Sequence, residues 1–190
     1  MISNSVFKLS VLALGTVALV ACSNSEKKQI AAESYVDWVD PLIGSGGHGH
    51  VFVGASIPHG MIQLGPNNNK KGWDWCSGYH DSDSTIIGFA HTHLSGTGIA
   101  DLGDILLMPA VSVIDSAGYL PSSAYVSTFL KQEELVTPGF YQVKLHPSGV
   151  NVELTAGERV GMHRYVYPSD KKAQVVVDLE NSAQSLMLRE

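Results

Sequence analysis

Apolar and polar residues alternate along the second half of the chain with the two-residue period of a strand that is wetted on one face. In residues 139–146 the apolar side chains are Tyr141, Val143 and Leu145, and polar side chains stand between them. Three further strands are predicted, over residues 150–155, 160–167 and 174–179. Turn-forming residues separate the strands at 147–149, 156–158 and 168–170.

The last of these strands contains three consecutive valines, at residues 175–177. Such a run is typical of a strand that is covered on both faces. The first half of the chain is rich in Gly, Ser, Asn and Asp, and its shorter apolar stretches predict strands over residues 61–64, 86–93 and 105–108. Serial strands separated by turns, without a long helical pattern, predict an all-β protein with an antiparallel β-sandwich.

The amino terminus has the layout of a bacterial lipoprotein signal. A positive charge precedes an apolar run at residues 9–20, which is too short to span a bilayer, and small residues then lead to Cys22. We expect cleavage of residues 1–21, lipidation of Cys22, a polar tether over 22–33 and a sandwich domain over 34–190. The expected location is the bacterial cell envelope, preferably the outer membrane. The alternative is an ordinary signal peptide that happens to contain a cysteine.

The charge balance argues against nucleic acid as a partner. The chain has 12 Lys and Arg residues against 18 Asp and Glu residues, which gives a net charge of -6. Its basic residues stand singly or in the isolated lysine pairs 27–28, 70–71 and 171–172, whereas a surface that neutralises phosphates needs clustered Lys and Arg.

Residues whose side chains can bind a ligand or take part in catalysis concentrate between positions 44 and 104, in glycine-rich segments that are predicted loops. Residues 44–50 and 89–98 each contain a His-x-His pair, and residues 72–80, GWDWCSGYH, bring together two tryptophans, an aspartate, a cysteine and a histidine. If His91 and His93 lie in a strand, both imidazoles share one face, where they could ligate a transition metal or hydrogen-bond a polar ligand. The alternative is that these histidines only satisfy loop carbonyls.

Among possible ligands, a neutral sugar best matches the aromatic and hydrogen-bonding side chains of residues 44–104. A pyranose presents an apolar C–H face and a ring of hydroxyls, so its site needs an aromatic platform bordered by groups that donate and accept hydrogen bonds. Trp73 or Trp75 supplies the platform, unless it belongs to the core. The hydrogen-bonding edges are drawn from Asp74, His80, His91, His93 and Asp101.

Other chemistry is less well supported. Cys76 is most simply a small buried hydrophobe. Asp101 and Asp104 could be a glycosidase pair, but aspartates beside glycine-rich turns are ordinary turn residues. Residues 94–98 do not form the nucleophile elbow of a serine hydrolase, and residues 44–49 lack the lysine and serine or threonine of a phosphate-binding loop.

Taken in order, these segments resemble the amino-terminal domain of glycosyl hydrolase family 92, the calcium-dependent exo-acting α-mannosidases. The resemblance covers essentially the whole chain after the signal. It is carried by VDPLIGSGGHGH (39–50), VGASIPHGMIQLGP (53–66), GY (78–79), GFAHTHLSGTG (88–98), GDI (103–105) and segments within 153–165.

The resemblance implies an enzyme in which a β-sandwich packs on a helical (α/α) barrel and terminal α-mannose is cleaved with inversion. The general acid, the general base and the calcium ligands of the family come chiefly from the barrel. Because the sequence ends at Glu190, we expect the sandwich to be incomplete at its carboxy-terminal end and the barrel to be absent. We therefore assign no catalytic residue and no metal ligand, and expect this chain alone neither to hydrolyse α-mannosides nor to bind calcium tightly.

The resemblance also suggests a role for the tryptophan-rich loop. A tryptophan of this region resembles a wall of the family's leaving-group subsite, and we assign that role to Trp73, with Trp75 less favoured. The neighbouring candidates are Asp74, Cys76, His91, His93 and Asp101. The expected partners are α-mannoside glycans and a membrane reached through the lipid anchor. The alternatives are a non-catalytic carbohydrate-binding surface lipoprotein and an inert structural lipoprotein.

Overall fold

The structure, a computed structural model, describes residues 34–111 and 121–181. The strands in these ranges are β1 Ala55–Ser56, β2 Gln63–Asn67, β3 Thr85–Ile86, β4 Gly88–Ala90, β5 Leu106–Val111, β6 Ser127–Thr128, β7 Glu134–Thr137, β8 Phe140–Lys144, β9 Asn151–Ala156, β10 Gly161–Val166 and β11 Ala173–Asp178. Short 3-10 helices span Tyr35–Trp38, Trp73–Trp75, Ser122–Ala124 and Lys131–Glu133. Neither described range contains an α-helix, and the all-β prediction is confirmed.

The strands form three antiparallel sheets. The larger two have the orders β1-β2-β4-β5-β11 and β10-β9-β8-β7, and β3 pairs with β6 in a third. In the second sheet, four consecutive strands follow one another as a meander, as the serial turns predict. Its register places Tyr141 opposite Leu154 and Val143 opposite Val152, so buried side chains meet across neighbouring strands.

The core lies between the two larger sheets. Leu64, Phe89 and Met108 project from the first sheet, and Tyr141 and Leu154 project from the second. The rings of Phe89 and Tyr141 lie 6.4 Å apart between centroids. Removing these apolar side chains from water is the main force that holds one sheet on the other.

The prediction that residues 175–177 are covered on both faces is wrong. Val175 is 45% exposed and Val177 58% exposed, whereas Val176 packs against the core. Among the described residues, strand β11 pairs only with β5 and stands at the edge of its sheet, and its side chains alternate between the core and the outside despite the uniform valine sequence.

The predictions for the amino terminus fall outside the described residues. The signal over residues 1–21, the lipidation site Cys22 and most of the tether over 22–33 therefore stay predictions. Where the structure describes the chain, no helix has both the length and the apolar composition needed to cross a bilayer.

A buried polar network joins the meander to the tryptophan-rich loop. Tyr79 and Tyr141 donate their hydroxyl protons to the two carboxylate oxygens of Glu134, at 2.9 and 2.8 Å. Lys131 contacts the Tyr79 hydroxyl and lies 3.5 Å from Glu134. Burial, reinforced by the Glu134 charge, raises the pKa of both tyrosines, so both hydroxyls remain donors.

We expect Glu134→Gln to lower the free energy of unfolding by about 1–2 kcal/mol. The amide places an NH₂ group against one tyrosine hydroxyl and removes the charge that faces Lys131. Urea unfolding followed by tryptophan fluorescence measures the change, and Glu158→Gln on the exposed turn before β10 is the control. Equal unfolding midpoints for Glu134→Gln and the wild-type chain would contradict this role.

Candidate functional site

Trp73 is held rigidly while most of its ring faces solvent. The side chain is 60% exposed. Its indole Nε1 donates a hydrogen bond to the carbonyl oxygen of Gly98 at 2.6 Å, and the edge of its ring packs against His50 at a centroid distance of 4.2 Å. A large exposed apolar ring with a fixed orientation is a platform for an apolar ligand face.

A carboxylate between two imidazoles borders this platform. Asp74 Oδ1 lies 2.6 Å from Nδ1 of His48 and 3.2 Å from Nε2 of His50. The hydrogen bond with His48 lowers the pKa of Asp74, and the bond with His50 adds to the effect. Because Nδ1 of His48 donates to the carboxylate, its exposed Nε2 is an acceptor in the neutral ring.

Two glycines allow these loops to approach one another. A Cβ on Gly98 would lie 2.8 Å from the Trp73 ring and 3.2 Å from the His50 ring, and the residue has a φ of +67°. A Cβ on Gly49 would lie 2.1 Å from the carbonyl oxygen of Gly44. The glycine-rich segments therefore bring two imidazoles and an indole into contact, and no larger residue fits at either position without backbone movement.

Trp75 contacts a different set of residues from Trp73. Its ring stacks on His80 at 4.3 Å, and its Nε1 donates to Asp83 Oδ2 at 3.0 Å. The side chain is partly buried, and Lys71 lies over its ring. The structure thus distinguishes the two candidate tryptophans. The Trp73 ring is mostly exposed to solvent, whereas the Trp75 ring is held by Asp83 and His80.

His91 and His93 do not form the one-faced strand pair that the sequence suggested, because β4 ends at Ala90. His93 is buried, with Nδ1 2.7 Å from the carbonyl oxygen of Gln63 and Nε2 2.8 Å from the side-chain amide of Asn67. Burial lowers its pKa to about 4, so the ring is neutral. His91 instead packs against His163 of β10, at 4.8 Å between ring centroids.

Three other candidates surround a small cavity. Cys76, His93 and Asp101 line a space of about 30 Å³, enough for a water molecule but not for a hexose. Burial raises the pKa of the Cys76 thiol, as expected of a packing residue. Asp101 accepts a hydrogen bond from the backbone N–H of Leu102, which is ordinary turn chemistry.

The structure therefore brings Trp73 and Asp74 together and gives His91, His93, Cys76 and Asp101 other surroundings. A sugar contact by any of them stays a prediction. The residues that the sequence did not single out as sugar edges are His48 and His50. Their signal was the His-x-His pair at residues 48–50, but a separation of 24–26 residues conceals that both meet Asp74.

Over 34–111 and 121–181, no group of three or more His, Cys, Asp or Glu side chains could hold a metal ion. Calcium requires six to eight oxygen ligands. We therefore assign none of these residues to the calcium ion that the family resemblance implies.

The sequence and the fold of this chain are similar to those of known proteins. The glycosyl hydrolase family 92 N-terminal domain matches residues 38–188. A family GH92 alpha-mannosidase from Bacteroides thetaiotaomicron, solved in complex with mannoimidazole, is 38% identical, with a TM-score of 0.72 over 80% of this chain and 20% of that chain. A family GH92 inverting mannosidase from the same organism is 29% identical, with a TM-score of 0.64 over 76% of this chain and 19% of that one.

A curated relative is also similar. It is described as an uncharacterized secreted glycosidase of Arthroderma benhamiae and is 28% identical over 164 residues, which cover 78% of this chain and 20% of the relative. The chain spans about a fifth of the length of these relatives. With a family match over most of its length and antiparallel sheets like those of the solved enzymes, the chain belongs to glycosyl hydrolase family 92, whose N-terminal domain it carries.

Proposed function

We propose that Trp73, Asp74 and His48 form one wall of the mannoside-binding pocket of an exo-acting, inverting α-mannosidase, on the side of the leaving-group sugar. The observation that carries this proposal is the Trp73 indole, which is 60% exposed and yet fixed by Gly98 and His50. Exposing such a ring costs free energy that a ligand can recover by covering it.

The edges of the wall match the hydroxyls of a sugar. Both imidazoles bind Oδ1 of Asp74, and Nε2 of His48 is an acceptor for a ligand hydroxyl when Nδ1 carries the ring proton. Over the described ranges, Oδ2 of Asp74 makes no hydrogen bond, so it can accept one from a second hydroxyl. Mannoside hydroxyls can donate to both acceptors while the C–H face of the ring lies on Trp73.

The bond-breaking groups are assigned to other polypeptide. An inverting glycosidase needs two carboxyl groups about 6.5–9.5 Å apart, one as general acid and one as general base. Hydrogen bonds with two imidazoles lower the pKa of Asp74. A carboxyl group with a lowered pKa stays ionised, so it accepts hydrogen bonds but is a poor general acid. In this proposal the sandwich positions the sugar, and the family's helical domain supplies the acid, the base and the calcium ion.

The proposal extends to location. A relative described as secreted supports export of this chain. Lipidation of Cys22 and attachment to the bacterial envelope are the form of export that the sequence predicts.

The proposed binding site is tested by titrating the chain with α-linked mannobiose while tryptophan fluorescence is recorded. We expect saturable binding with a Kd in the millimolar range, because one wall of a pocket gives about 4 kcal/mol at most. We expect no effect of cellobiose and no release of mannose. Absence of binding would refute the pocket wall, whereas release of mannose by the chain alone would refute the assignment of catalysis to other polypeptide.

A further inference from the structure

The end of β4 and the inward face of β10 place two imidazoles in direct contact between the two larger sheets. His91 Nε2 lies 3.2 Å from His163 Nε2, and the ring planes are inclined by 46°. Zn–N bonds of about 2.0–2.1 Å place two ligand nitrogens roughly 3.3 Å apart around a tetrahedral zinc ion. The observed separation therefore already matches the spacing of two ligands on one cation.

The two rings share one hydrogen bond. Their centroids are 4.8 Å apart, and the contact between the Nε2 atoms has hydrogen-bond geometry. A cation that takes the place of the shared proton would be bound by the same two nitrogens, after a rotation of the rings that turns both lone pairs towards it.

The surroundings hold the pair in place. The Tyr165 hydroxyl lies 2.7 Å from Nδ1 of His163, where it can accept the ring N–H and leave Nε2 free to ligate. A Cβ on Gly161 would lie 2.5 Å from the His91 ring, so glycine at this position makes the contact between the sheets feasible. Burial lowers the pKa of both histidines, which keeps the rings in the neutral, ligating form at neutral pH.

We propose that His91 and His163 form a two-histidine site for a divalent transition metal ion, zinc above all, that links the two sheets of the sandwich. Water molecules complete the coordination shell, because both rings are only partly buried. Each neutral ring carries one proton, so zinc binding at both Nε2 atoms requires the proton of each ring to lie on its own Nδ1, where that of His163 is donated to the Tyr165 hydroxyl. Hard cations such as calcium and magnesium, which prefer oxygen ligands, bind elsewhere.

The experiment uses the 190-residue chain without a histidine tag, titrated with ZnCl₂ at pH 7.5. We expect one zinc ion per chain by calorimetry and a rise in Tm of about 5 °C when free zinc is about a hundredfold above Kd. CaCl₂ and MgCl₂ should leave Tm unchanged. The rise should disappear in His91→Gln and His163→Gln, and Tyr165→Phe should weaken zinc binding roughly tenfold.

Two controls identify the site. His59→Asn removes an exposed histidine with a positive φ that asparagine tolerates, and His48→Gln removes the exposed imidazole beside Asp74. Both variants should keep the zinc effect. A Tm rise that persists in His163→Gln, or no rise in the wild-type chain, would overturn the proposal.

A spectroscopic measurement does not depend on the folding of the ligand variants. Cu²⁺ added to the His48→Gln chain should give an electron paramagnetic resonance spectrum with coupling to two imidazole nitrogens. Coupling to a single imidazole, or to none, would mean that the two rings form only a hydrogen bond.

Discussion

Replacing Asp83 by alanine is expected to lower the free energy of unfolding by about 3 kcal/mol and to release Trp75 from its anchored position. The Asp83 side chain is completely buried. Its Oδ1 accepts hydrogen bonds from the backbone N–H groups of Ser84 and Thr85 and from the Thr85 hydroxyl, at 2.8, 3.0 and 2.8 Å. Its Oδ2 accepts from the Trp75 indole and pairs with Lys71. Alanine removes the acceptor that all of these donors share, and the partly buried Thr85 and Trp75 lose their partner.

Chemical unfolding and the near-ultraviolet circular dichroism of Trp75 measure the loss. Asp81→Ala is the matched control, because this aspartate is half-exposed and pairs with Lys131 at the surface. Surface ion pairs contribute about 0–1 kcal/mol. Equal decreases in the free energy of unfolding for Asp83→Ala and Asp81→Ala would mean that the buried Asp83 carboxylate contributes no more to stability than a surface ion pair.

The same carboxylate predicts a pH dependence. Burial alone would raise the pKa of Asp83, but hydrogen bonds from Lys71, Thr85 and Trp75 outweigh it and the pKa is lowered. A lowered pKa in the folded state contributes stability above the unfolded value of about 4 that is lost as the pH falls through the folded value. The difference in unfolding free energy between wild type and Asp83→Asn should therefore narrow below about pH 4.

The second large effect is expected at the platform. Trp73→Ala should weaken α-mannobiose binding by about 10- to 100-fold, because it removes the only broad apolar surface that the proposed wall offers. Each factor of ten corresponds to about 1.4 kcal/mol of binding free energy. Stability should change little, since the ring is mostly exposed. The measurement is calorimetric or fluorescence titration, together with an unfolding curve.

Trp38→Ala is the control for this variant, because Trp38 is 76% exposed and lies in a separate 3-10 helix. It should bind mannobiose as the wild-type chain does. In a chimera that joins residues 34–190 to the remainder of a family mannosidase, Trp73→Ala should lower kcat/KM for mannobiose more than for an aryl mannoside. Equal losses with both substrates would contradict a role at the leaving-group sugar.

The strands of the meander could be predicted from the sequence because each of them pairs with the next strand along the chain. Tyr141, Val143 and Leu145 repeat with the period of a one-sided strand, and all three are buried. The same logic failed at residues 175–177, where composition favours burial but the edge position of β11 leaves two valines exposed. A strand's place in its sheet depends on distant pairings that local pattern does not encode.

The site was harder to predict for the same reason. The sequence offered both indoles of the tryptophan-rich loop as candidates, and only the family resemblance favoured Trp73; the different surroundings of the two rings depend on Gly98 and Asp83, which lie outside the loop. His91 and His93 look identical in sequence, yet one contacts the opposite sheet and the other is buried beside Gln63. Contacts between loops determine these differences, and they join residues that lie far apart in the chain.

The orientation of the Trp73 indole is set jointly by three segments, around residues 50, 73 and 98, that meet only in the folded chain. A loop graft that aims to reorient this indole must therefore transplant all three segments as one unit. Exchanging a single segment removes either the Gly98 carbonyl that accepts the indole N–H or the His50 ring that packs against it, and the ring then adopts a different rotamer.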